Sequence, residues 1–82
     1  VSLAHDNVRE EMDRKDLEEA INRYLDRLPS KKRQIFVRRY FYLDEIYQIA
    51  EHFHMTESAV KVGLHRMRKS LKIHLQKEGY HI

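Results

Sequence analysis

The chain has no cysteine, no tryptophan, one proline and two glycines among its 82 residues. Without cysteine there is no disulfide framework and no thiolate metal site, a composition that suits the reducing cytoplasm. Uninterrupted apolar runs are only a few residues long, so no segment is fit to span a bilayer and a membrane protein is excluded. The first residues, Val1-Ser2-Leu3-Ala4-His5-Asp6, hold neither a basic stretch nor an apolar core, which excludes a secretory signal there. The chain opens on Val1 rather than Met, so it reads as an excised domain or a processed fragment. No glycine-rich phosphate loop exists, and no serine or acid is arranged as a nucleophile with its base. His52, His54, His65 and His74 are spaced two, eleven and nine apart, whereas ligation from one helix wants three or four. The expectation is therefore no enzyme, no metal and no cofactor.

What is present reads as one small helical unit. Glycine and proline are scarce, Leu, Glu, Lys and Arg are common, and a chain this short builds a single core. The net charge of +3 hides an asymmetry. Residues 1–30 hold five Lys/Arg and eight Asp/Glu, whereas residues 31–82 hold eleven and five. Between Ser58 and Lys77 stand Lys61, Arg66, Arg68, Lys69, Lys72 and Lys77 with no acidic residue. Six uncompensated cations repel one another, and a polyanionic partner would relieve them; a solvated helix face is the alternative.

Periodicity predicts four helices. Leu17, Ala20, Ile21, Tyr24, Leu25 and Leu28 draw one apolar stripe along a helix from about residue 16 to 28, which Pro29 ends. Val8 and Met12 project to the other side of that helix extended backwards, so residues 1–15 read as a linker or N-terminal extension, and 16–82 as the domain. Ser30 is placed to cap a second helix to about Tyr42, although Lys31, Lys32 and Arg33 are unfavourable at its positive end. Ile35, Phe36, Val37, Tyr40, Phe41 and Tyr42 point in nearly every direction around it. Such a helix lies at the centre of a core or shares its surplus face with a partner. Asp44 is placed to cap a third helix through Phe53, with Ile46, Ile49, Ala50 and Phe53 inward. After a break at His54-Met55, Thr56 caps a long fourth helix in which Val60, Leu64, Met67, Leu71 and Leu75 face inward. Gly79 is its stop.

Two helices joined by a short break, the second of them the most basic part of the chain, make a helix-turn-helix pattern. The face opposite the apolar stripe presents Ser58, Lys61, Val62, His65, Arg66 and Lys69. A recognition helix enters the major groove near its N-terminal end, so positions 57 to 66 would meet bases and later cations such as Arg68 and Lys72 would meet phosphates. Arg66 suits guanine O6/N7, Lys61 guanine or phosphate, and Val62 a thymine methyl.

Leu28-Pro29-Ser30 leading into Ile35-Phe36-Val37-Arg38, then Ile49-Ala50-Glu51, then Thr56-Glu57-Ser58-Ala59-Val60-Lys61-Val62-Gly63-Leu64-His65-Arg66-Met67-Arg68, resembles region 4 of sigma-70 family factors. The similarity is greatest to the extracytoplasmic-function group and runs from about residue 16 to 77. It implies an all-α, four-helix, wingless helix-turn-helix domain with a long C-terminal recognition helix. It also implies a cytoplasmic role in bacterial transcription initiation: recognition of the minus-35 promoter element and contact with the flap of the RNA polymerase β subunit. By position, Lys61, Val62, Gly63, His65 and Arg66 fall in the promoter-contact stretch, and Thr56 is a further DNA-contact candidate. The surplus apolar face of Phe36, Tyr40, Phe41 and Tyr42 fits the polymerase contact, and an anti-sigma factor would occlude the same surfaces. The chain departs from the family pattern at His54, where the turn is usually glycine, and at Val62-Gly63, usually a polar and then a basic residue. Two rivals share the pattern: the output domain of a response regulator, and a protein-binding module whose DNA face has decayed.

Overall fold

A computed structural model describes the backbone of residues 2–81 and the side chains of residues 13–81. The described residues form four helices and no strand: α1 (Ser2–Arg27), α2 (Ser30–Tyr40), α3 (Ile46–Phe53) and α4 (Glu57–Lys77). Helix α1 begins well before the expected residue 16, because nothing between Ser2 and Asp16 breaks a helix: the stretch has no glycine and no proline. Its backbone runs as one helix through residues 2–27. The orientation expected for Val8 and Met12 lies outside the described side chains.

Local chemistry sets the other boundaries, and three differ from expectation. Pro29, in an extended conformation, occupies the cap position of α2; Ser30 is already helical and accepts a hydrogen bond from Gln34 Nε2 at 3.0 Å. No side chain caps the N-terminus of α2. Helix α2 stops at Tyr40 instead of Tyr42 because Leu43 turns left-handed, at φ 59°. That turn lets the Asp44 amide reach the Arg38 carbonyl at 2.9 Å, and Arg39 Nη1 donates to the Asp44 carbonyl at 3.0 Å. A left-handed leucine costs about 1–2 kcal/mol, so the two bonds hold a strained corner. The Asp44 carboxylate pairs with Arg38 at 3.4 Å, and Glu45 caps α3 instead. Glu45 and Gln48 form a capping box, the Glu45 amide donating to Gln48 Oε1 at 2.8 Å.

The turn into α4 follows the sequence closely. His54 is left-handed (φ 55°, ψ 45°), and the Met55 amide donates back to the Ala50 carbonyl at 2.8 Å. Histidine adopts this conformation more readily than branched residues. Thr56 Oγ1 then accepts the Ala59 amide at 3.1 Å and starts α4. Val60, Leu64 and Ile49 are the largest fully buried side chains and share a core with Tyr24, Leu25, Ile35, Phe36, Ala50 and Met67. Ile46, Phe53 and Leu71 are half-buried at the edge of this core.

Helix α1 lies along the C-terminal half of α4. The buried Tyr24 hydroxyl donates to the Met67 carbonyl at 3.1 Å, leaving its polar tip satisfied inside the core. Arg23 grips Glu78 with two hydrogen bonds, at 3.0 and 3.1 Å. These bonds hold the Glu78 carboxyl below, and the Arg23 guanidinium above, their ordinary pKa values. Gly79 at φ +96° closes α4: its amide reaches the Gln76 carbonyl at 3.1 Å and the Tyr80 amide the Leu75 carbonyl at 3.0 Å. With α1 covering the C-terminal half, the N-terminal half of α4 keeps an open outer side.

Candidate nucleic-acid interface

Each α-helical residue turns by about 100°, so burying Val60, Leu64 and Met67 aims Ser58, Val62, His65 and Lys69 the opposite way. All four are exposed, Val62 at 48% despite being apolar. Lys61 and Lys72 are exposed on one shoulder of this strip and Arg66 on the other, while Gly63 is half-buried beside Arg66. Positions 58–66 span about 12 Å of helix axis, a length comparable to the width of the major groove of B-form DNA. Among the described residues none of Lys61, Arg66, Lys69 or Lys72 is in an ion pair. No ion pair among the described residues therefore neutralises the charge of this face.

Two expected contacts have other engagements. The Thr56 hydroxyl accepts the Ala59 amide, so its first role is to begin the helix. Arg68 lies between the outer strip and the core and donates to the Tyr40 hydroxyl at 2.6 Å. Its guanidinium is thus held by α2.

The aromatic group divides. Phe36 is 5% exposed and belongs to the core, its ring 4.7 Å from that of Tyr40; a contact made by Phe36 itself is corrected by this burial. Tyr40, Phe41 and Tyr42 are exposed, and so are Leu43 and Tyr47, which the sequence pattern did not single out. Tyr47 was legible: it falls about 100° round the helix from Ile46, to one side of the Ile46, Ile49, Ala50, Phe53 stripe. Leu43 was not, because its exposure follows from the left-handed corner. Ile73, also exposed, extends the outer strip of α4 beyond Lys69. No three His, Asp or Glu side chains among the described residues come together as a metal site, and no helix there is long and apolar enough to cross a membrane.

This arrangement presents a polar and cationic helix face on a capped turn, as duplex readers do. Comparison with protein families finds a match to the family described as Sigma-70, region 4, over residues 18–71. No curated protein and no solved structure matches significantly. The matched span takes in α2, α3, the turn at His54 and two thirds of α4. The chain therefore belongs to the sigma-70 family and carries its region 4, a DNA-binding region of sigma factors.

Proposed function

We propose that this domain, with residues 1–15 as its N-terminal extension, reads the minus-35 promoter element for a sigma factor of the extracytoplasmic-function group. The N-terminal half of α4 lies in the major groove. Arg66 takes a guanine, Lys61 a guanine or phosphate, and Val62 a thymine methyl, with Ser58, Gly63 and His65 alongside. Lys69 and Lys72 neutralise phosphates, and Arg68 joins them from its seat on Tyr40. The exposed Tyr40, Phe41 and Tyr42 meet the β-flap of RNA polymerase, and an anti-sigma factor covers the same aromatics. The observation that carries this reading is the unpaired cationic face on the outer side of α4, opposite Val60, Leu64 and Met67.

Arg66→Ala tests it: binding to a selected promoter duplex should weaken by about 1–3 kcal/mol and preference should relax at one base pair. Equal loss on random DNA would make Arg66 a phosphate contact. Affinity for duplex should fall steeply with salt, and a flat salt dependence would instead favour a protein-binding module.

A further inference from the structure

Beside the recognition face, between α2 and the flank of α4, runs an apolar groove of about 420 Å³. Leu28, Ile35, Met55 and Met67 make its floor. Gly63 lines the α4 side, where the space is open: a β-carbon there would meet nothing within 4 Å. Every charged side chain lining the groove is positive: Lys31 and Lys32 from α2, and Arg66 from α4. All three are exposed and none is in an ion pair among the described residues. Two lysines also stand in the first turn of α2, which has no acidic residue, where the helix dipole disfavours them.

We propose that the groove binds a small anionic amphiphile, its apolar body on the Leu28–Met67 floor and its carboxylate or phosphate head between Lys31, Lys32 and Arg66. The volume lies in the range of about 300–1,000 Å³ common to small-molecule sites, and an apolar lining with a few convergent charges is how such sites fix orientation. Resting on the reading of Arg66 as a base contact, the same ligand regulates promoter binding: an Arg66 turned to the bound anion is withdrawn from the duplex. Saturating ligand should then lower duplex affinity roughly tenfold, the scale of losing one base-reading arginine.

Titration of the isotopically labelled chain with octanoate, followed by nuclear magnetic resonance, tests the site. Saturable shifts centred on Leu28, Met55, Gly63 and Met67 are expected, with 1-octanol binding at least about tenfold more weakly for want of the charge. Lys31→Gln with Lys32→Gln should weaken octanoate at least about fivefold, and Ala59→Leu, which fills the groove wall, should do the same while circular dichroism shows an intact fold. Absence of saturable shifts at the groove, or octanol binding as well as octanoate, would overturn the site. A groove that ignores octanoate yet responds to an acidic amphipathic peptide would overturn the small-molecule assignment. Duplex titration with and without octanoate tests the coupling. Octanoate bound in the groove with duplex affinity unchanged overturns the regulation, whereas octanoate bound by a chain that has no duplex affinity leaves the site standing and sinks the promoter-binding reading.

Discussion

The two glycines should respond in opposite directions to the same substitution. At both positions a new β-carbon would meet nothing within 4 Å, so collision with neighbours cannot distinguish them. Backbone conformation does. Gly63 lies inside α4 with an ordinary helical backbone, whereas Gly79 sits at φ +96° just beyond the helix. Gly63→Ala removes the excess backbone freedom of the unfolded chain, a gain of about 0.5–1 kcal/mol in a helix interior. For a domain of this size that should raise Tm by roughly 2–8 °C. Gly79→Ala forces a β-carbon into the left-handed region and should cost about 1–2 kcal/mol, lowering Tm by roughly 4–16 °C. Thermal melts of both variants by far-ultraviolet circular dichroism decide it. A Gly63→Ala protein no more stable than the parent would refute the reasoning, because it would mean that α4 depends on glycine for something other than its missing side chain. A neutral Gly79→Ala would show that the Schellman closure at Tyr80 tolerates rearrangement.

The remaining expectations follow from single contacts. Phe36→Ala should destabilise the fold by about 3–5 kcal/mol in denaturant titration, and a loss below about 1 kcal/mol would place the ring outside the core. His54→Gly should stabilise by up to about 1 kcal/mol by relieving the left-handed histidine; a lower Tm would mean the imidazole itself contributes to the turn. Glu78 has its pKa lowered in the folded state, chiefly by the hydrogen bonds from Arg23, so its contribution is present above the ordinary carboxylate range and is lost as pH falls through the folded value. The Tm difference between the parent and Glu78→Gln should therefore be largest at neutral pH and vanish in acid. A difference that persisted unchanged into acid would remove the Arg23–Glu78 pair as its cause.

How much of the fold was legible depended on the range of the interactions. The turn from α3 to α4 was readable because a threonine hydroxyl capping the amide three residues on, and a histidine tolerating φ near 55°, are dealings between close neighbours. The corner after α2 was not. Asp44 has the right chemistry for a cap, yet the Arg38 guanidinium claims its carboxylate, and Glu45 with Gln48 takes the role. An N-cap is a competition among local acceptors, and periodicity cannot say which of them a neighbouring cation will occupy. Helix α1 was cut short for a different reason: an apolar stripe marks where a helix packs, while helical backbone continues wherever no breaker stops it.

Sequence alone determined the parts of the interface that repeat along one helix. Val60, Leu64 and Met67 facing inward oblige Ser58, Val62, His65 and Lys69 to face outward, since a regular helix leaves no freedom between them. What lies across a gap between helices was decided only by tertiary structure. Phe36 is inside while Tyr40, Phe41 and Tyr42 are outside, Arg68 is held by Tyr40, and Lys31, Lys32 and Arg66 converge on one groove. Those outcomes depend on the angle and distance at which α2 meets α4, which the core side chains set jointly and no single stretch of chain encodes.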